Sequence, residues 1–288
     1  FNPAMIFVLS FIFLILVVSL LLLTGIYFFA DFKGSKNKKP AQADGHTDHA
    51  DPMNPSADIE TLDFNKYSIE SENKLNAEKK KLVASLNEKA TKSNTALTYK
   101  DVAEFWEKEN NLNMAAFNYK KAAFLENTEK SITFAGNLYL ALLQKSGEPG
   151  TRKWLALEAI ECFSKASELN PNNTDTKIAL ATCYTEGTGE TMKGVTLLRE
   201  VTKTDSNNIS ANIILGKLAI QSGQFDKAIK RLELVLSLKP DNTEALYFLA
   251  EAYKGSGNKQ KAISLFEQCK ALVNNPEFTK EIDNHITT

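Results

Sequence analysis

Through the last third of the chain, apolar and small residues return in one order at a fixed interval. Leu215, Gly216, Ala219, Ala228, Ile229, Leu232, Val235 and Leu238 are echoed 34 positions later by Leu249, Ala250, Tyr253, Ala262, Ile263, Phe266, Cys269 and Leu272. Within each half of the interval the spacing is helical, and a polar turn such as Gly223-Gln224-Phe225-Asp226 divides the halves. Each unit is therefore a helix A, a turn and a helix B. Small residues mark the close helix crossing and large ones fill the space between units. One such pair cannot bury its own apolar face, so the units must stack.

The unit order of Leu-Gly at 215 and 216, a small or aromatic residue three on, an Ala-opened second helix at Ala228 and a closing Pro240 resembles the tetratricopeptide repeat. In that register the unit from Thr174 carries Leu180, Ala181 and Tyr184, then Gly194, Val195, Leu198 and Val201, with one extra residue at Gly187-Thr188-Gly189. The unit from Glu129 carries Ala135-Gly136-Asn137-Leu138-Tyr139, then Ala159, Ile160, Phe163, Ala166, Leu169 and Pro171. Its two helices are expected to be separated by an insertion of about eleven residues around Lys145 to Gly150, long for such a turn. The first unit has Tyr99, Val102, Ala103 and Trp106, then Ala115, Ala116, Tyr119, Ala122 and Leu125. The resemblance implies an all-α, right-handed solenoid of about five units, at 96–128, 129–173, 174–208, 209–242 and 243–276. Residues 277–288 are predicted to add a capping helix and tail, with Phe278, Ile282 and Ile286 as its apolar stripe.

At the front, Met5 to Ala30 holds no charged residue and is dominated by Leu, Ile, Val and Phe. That length exceeds what the roughly 30 Å hydrocarbon core requires, so residues 1–32 are predicted to be a single transmembrane anchor in a lipid bilayer. A cleaved signal peptide would have a shorter apolar core and a small-residue cleavage site, whereas this run ends in Ile26-Tyr27-Phe28-Phe29-Ala30, suited to a membrane interface. Lys33, Lys36, Lys38 and Lys39 after the span would hold the repeats in the cytoplasm by the positive-inside rule. The chain also resembles anchored bacterial repeat proteins of the Bacteroidetes type, and this resemblance implies a single pass in the bacterial inner (cytoplasmic) membrane with the repeats in the periplasm.

Residues 33–70 read as a disordered tether, too poor in apolar residues to offset the entropy of ordering. Asp44, His46, Asp48, His49 and Asp51 lie within it, but ligands on a mobile segment lack the fixed geometry of a metal site, and neither a metal nor any other cofactor is expected. Residues 71–95 read as an amphipathic leading helix, with Leu75, Leu82, Val83 and Leu86 on one face.

Charge narrows the function. With 34 basic against 35 acidic residues, no basic excess is present to track phosphates, so nucleic acid is not an expected partner. The three cysteines, Cys162, Cys183 and Cys269, fall in repeat helices without disulfide or zinc spacing. All three histidines lie in the tether or at His285, away from any nucleophile, and catalysis is not expected. What remains is recognition of other proteins. In the family resembled, the inner faces of the A helices line a groove, and carrying those unit positions over selects Phe134, Asn137, Ile178, Thr182, Ile213, Lys217, Tyr247, Phe248 and Glu251. The Lys and Asn clamp of the carboxylate-binding subfamily is missing, since Lys100 is followed by Glu104 and the next unit has Phe134. An apolar peptide or partner helix fits better. The expectation is a membrane-tethered adaptor, scaffold or chaperone-like protein that binds polypeptides of an envelope or protein-export complex. The alternative is a structural accessory subunit of a larger membrane complex, held there by its transmembrane helix.

Overall fold

The computed structural model describes residues 59–287, all of them helix or connecting segment. The thirteen α-helices among the described residues are α1 (Phe64–Asn73), α2 (Ala77–Ser93), α3 (Ala96–Lys108), α4 (Leu112–Glu126), α5 (Glu129–Lys145), α6 (Pro149–Leu169), α7 (Thr174–Thr182), α8 (Thr191–Thr204), α9 (Ile209–Gln221), α10 (Phe225–Leu238), α11 (Thr243–Gly255), α12 (Lys259–Val273) and α13 (Pro276–Thr287). A π-helical segment, Cys183–Thr188, continues α7. The expected membrane anchor, most of the expected tether and the His46 and His49 cluster lie outside the described residues. Among the described residues no helix is long and apolar enough to cross a membrane.

Helix starts follow local chemistry. Asn or Thr side chains at Asn76, Thr95, Thr128, Asn173, Asn208 and Asn242 each accept the backbone N–H three residues on, satisfying a donor that the helix leaves open. Three B-type helices stop at Asn94, Asn127 and Asn274 in left-handed backbone conformation. In the last two A-to-B turns a glycine takes that conformation, Gly223 at φ 71° and Gly257 at φ 86°, and Asn110 fills the same role in the first.

Five A–B pairs, α3/α4 through α11/α12, stack in chain order, and each B helix also packs on the A helix that follows it. The A helices touch one another in series, α5 with α7, α7 with α9 and α9 with α11, so they share one face of the array. Both ends are half-units. The leading helix α2 packs on α3 as a B helix would, and α13 packs on α12 as a following A helix would. Phe278 and Ile282 of α13 are buried. The crossings are as close as the small residues require: a Cβ on Gly216 would stand 3.0 Å from Leu232 Cγ, and Ala228 and Ala262 are buried opposite their A helices.

Three expectations are corrected. The insertion in the second unit is not a long turn. Its residues extend the helices, to 17 residues in α5 and 21 in α6, leaving Ser146 to Glu148 as the connection. The extension is held because the Glu148 carboxylate caps α6 at Gly150 N and Thr151 N, while Arg152 donates to the carbonyls of Leu143, Ser146 and Glu186. The tether does not run to residue 70. Residues 59–63 are extended against the second unit and α1 follows, because Leu62 and Phe64 find apolar cover there. The leading helix of 71–95 is two helices broken at Lys74 to Asn76, where α1 ends and Asn76 caps α2.

Candidate partner-binding face

The A face changes character along its length. On α5, Phe134 is 51% exposed, with its ring edge-on to Tyr119 at 5.8 Å, and Asn137 one turn on is also exposed. With Glu129, Lys130, Thr133 and Asn173 they line a shallow cavity of about 340 Å³. Its rim is fixed by Glu129, whose carboxylate accepts the Asn173 and Asn170 amides. Those two hydrogen bonds, Asn173 foremost, hold the carboxyl below its ordinary range. The cavity thus joins an apolar ring, an open amide and a pre-set carboxylate.

Further along, the face is charged. Lys217 on α9 donates to Glu186 at 2.7 Å, and its ammonium stands 6.0 Å from the Phe248 ring centre. Glu244 on α11 belongs to the same group. It is open to solvent on one side, yet the protein crowding around its carboxyl raises the pKa, with Lys217 opposing the rise and Glu186 adding to it. The group carries two carboxylates for one ammonium.

Other predicted groove residues are placed differently. Ile213 is 4% exposed and packs in the core with Ala228, Leu232 and Leu246, so it is corrected from groove to core. Its position on α9 points between stacked units instead of outward. Ile178 and Thr182 are half-buried, Ile178 against the core of the third and fourth units and Thr182 with its hydroxyl donating to the Ile178 carbonyl. Tyr247 and Glu251 face the C-terminal helix. The Tyr247 hydroxyl lies 3.4 Å from His285 Nε2 and the Glu251 carboxylate 3.5 Å from His285 Nδ1. Burial pushes the Tyr247 phenol up. Phe248 remains half-buried, edge-on to Tyr247 at 5.5 Å. Of the predicted residues, Phe134 and Asn137 are thus exposed, Ile213 is buried and the others are half-buried.

Glu186 and Glu244 were not among the residues selected from sequence. They occupy the thirteenth and second positions of their units, both groove positions, so the signal was present. Glu186 reaches Lys217 from the π-helical segment, which the extra residue at Gly187-Thr188-Gly189 creates by widening one helical turn. Desolvation pushes the Cys162 and Cys183 thiols up to about 12 and that of Cys269 up to about 11, the values of packed, unreactive thiols. No cluster of His, Cys, Asp and Glu suited to a metal occurs among the described residues.

Comparison with known proteins agrees with this geometry. The tetratricopeptide repeat family model matches residues 219–278. Superkiller protein 3 of Schizosaccharomyces pombe is 29% identical over 123 residues, which are 40% of this chain and only 9% of that protein's length. Among solved structures, a tetratricopeptide repeat protein from Parabacteroides merdae is similar at TM-score 0.50 and 18% identity, over 65% of this chain and 72% of that one. YrrB, described as a tetratricopeptide protein with an unusual peptide-binding site, aligns at TM-score 0.45 and 20% identity, over 69% of this chain and 97% of its own. The family match falls on α10 to α12, with the ends of its neighbours, and the same helix-pair geometry runs from Ala96 to Val273. Residues 219–278 are therefore tetratricopeptide repeat sequence, and the helix pairs that precede them stack in the same way.

Proposed function

We propose that this chain is a membrane-tethered adaptor that holds an extended segment or helix of a partner polypeptide along its A face. The observation that carries the reading is the run of touching A helices that presents the Phe134 cavity at one end and the Lys217, Glu244 and Phe248 group at the other. Neighbouring A helices lie on the order of 10 Å apart, so the three steps from α5 to α11 span about 30 Å. At roughly 3.3 Å per residue this is about nine residues of extended chain. The occupant would place an apolar side chain against Phe134 and a polar or charged stretch against the far group. An occupant of that mixed character differs from the apolar peptide or partner helix expected from sequence.

Binding without catalysis is part of the same proposal, as is the anchoring of the chain by residues 5–30 in a bacterial inner membrane with the array on the periplasmic side. The partner is proposed to belong to an envelope or export complex. A photo-crosslinking residue at Asn137, introduced into the full chain in native membranes, tests this reading. Crosslinks to partner polypeptides that disappear with Phe134→Ser support an adaptor. A single stoichiometric partner whose crosslinks survive Phe134→Ser favours the accessory-subunit alternative, in which the array only braces a complex.

A further inference from the structure

The B-helix side of the first two units carries a contact that the A face does not explain. Helices α4 and α6 meet there through the Lys120 ammonium, 2.6 Å from the Glu158 carboxylate and also against that of Glu161. Beyond this ion pair the seam opens into a slot walled by Phe117 and Trp154. Phe64 enters it, with its ring 4.3 Å from Phe117 and stacked on Trp154 at 4.8 Å and 14°. The segment around Phe64 is held as a bound peptide is held, through its main chain. Leu62 N donates to the Gly150 carbonyl at 3.1 Å, and Lys153 Nζ donates to the Ile59 carbonyl at 2.8 Å. The Glu60 carbonyl fits so closely over Gly150 that a Cβ there would stand 2.7 Å from it. Two side chains complete the seat. The Tyr67 hydroxyl donates to Asn111 Oδ1 at 2.9 Å, and the Asn111 amide donates to Ser71 Oγ at 3.0 Å.

We propose that residues 59–73 are a peptide ligand bound in cis, and that the α4–α6 seam is a second recognition site for a segment that carries Leu two residues before a Phe opening a short helix. Three features distinguish this from ordinary core. The segment stands outside the repeat pattern, since α1 pairs with no A helix as a repeat helix would. It binds through polar contacts to Gly150 and Lys153 at the start of α6, which the extended second unit brings into reach. Its covalent link to the array is the short break at Lys74 to Asn76, and Phe64, Tyr67 and Leu75 also rest against the core of the first unit, so release would uncover that edge too. Occupation in cis keeps an apolar slot covered, and release would offer it to a competing segment of the same chemistry. The proposal does not depend on what the A face binds.

The test uses the full chain and two variants that attack the contact from opposite sides. Phe64→Ala removes the anchor, and Gly150→Ala drives a Cβ against the Glu60 carbonyl while leaving Phe64, Phe117 and Trp154 intact. Hydrogen exchange is followed along the chain, and a labelled synthetic peptide of residues 59–73 is the probe. In the unaltered chain the segment should be protected and the probe should not bind. In both variants exchange within 59–73 should quicken at least tenfold while α7 to α12 keep their protection. The probe should then bind the Phe64→Ala chain, whose seam is unaltered, and not the Gly150→Ala chain, whose added Cβ meets the probe's Glu60 carbonyl as well, while a probe carrying Phe64→Ala should bind neither. The proposal is overturned if the segment exchanges only together with α4 and α6, if both variants lose the whole array, or if the seam of the Phe64→Ala chain ignores the probe.

Discussion

Lys217 and Glu186 meet at 2.7 Å across two units because one extra residue in the third unit is absorbed as a π-helical turn. In a regular α-helix the residues after Cys183 would turn by about 100° each, and the wider turn redirects Glu186 toward α9. Both side chains are largely covered, at 16% and 26% exposure for Lys217 and Glu186. The pair sets the charge of the A face where Glu244 and Phe248 join it. A one-residue irregularity therefore has a consequence for recognition, in line with the frequent placement of π-turns at functional positions.

Glu244 gives this site a pH dependence of definite sign. Its folded pKa is raised by burial, so the folded chain holds a proton that the unfolded chain releases. Stability is then unpenalised below the unfolded carboxylate pKa and declines as pH rises through that value to the folded one. Glu244→Gln should remove the decline. In urea titrations the variant should be the more stable at pH 7, by less than about 1 kcal/mol given the open side of the residue, and indistinguishable from the parent at pH 3. A variant that is less stable at pH 7 would mean that the attraction of Lys217 outweighs burial.

Gly187 tests the π-turn itself. A Cβ there would lie 2.1 Å from Ala156 Cβ, so Gly187→Ala must push the π-turn off α6. Overpacking of this kind costs on the order of 1 to 3 kcal/mol. The loss should appear in denaturant unfolding together with faster exchange of the Cys183 to Thr188 amides, and a thermal midpoint equal to the parent's would refute the close contact.

The array was readable from sequence because its apolar period is strict where α9 to α12 lie. Leu232, Val235, Phe266 and Cys269 are all buried at the positions the period assigns. Two features were legible only in part. The extra residues around Lys145 to Gly150 looked like a loop because they break the period, yet helix geometry continues wherever the new turn finds a cap and a face to cover. Glu148 supplies the cap and Trp154 the face. Ile213 illustrates the limit of position-by-position transfer, since the fifth unit position is open or closed according to the neighbouring side chains. Beside Leu246 and Ala250 it is core. The Phe64 contact leaves no periodic signal at all, because a segment that binds once has nothing to repeat.

Ala228 checks the register of the repeat. It is fully buried where α10 crosses α9, and its equivalent Ala262 is buried at the next crossing. Ala228→Leu should cost on the order of 1 to 3 kcal/mol by overpacking. Far-ultraviolet circular dichroism through a denaturant series measures the cost, and Ile229→Leu, one position on and half-buried, serves as the control that should shift little.

The last prediction separates binding from folding on the A face. Tyr247 and Phe248 are adjacent, but Tyr247 packs on Phe266 at 5.7 Å and meets His285 of α13, whereas Phe248 faces Lys217. Tyr247→Ser should therefore loosen the C-terminal helix, lowering the thermal midpoint and quickening exchange in α13. Phe134→Ser should leave both nearly unchanged, and Phe248→Ser, whose ring packs on the edge of the same core, should lower the midpoint by less than Tyr247→Ser. If the A face is the partner site, these latter two substitutions should weaken crosslinking at Asn137 in native membranes. Open aromatic anchors commonly contribute on the order of 2 kcal/mol each once a partner desolvates them, which corresponds to roughly thirtyfold in affinity. The four measurements must come from the same preparations, because lost capture with a lowered midpoint would show a folding defect instead. Capture retained in both Phe134→Ser and Phe248→Ser, with the fold intact, would remove the A face as the site and leave the α4–α6 seam as the surface to pursue.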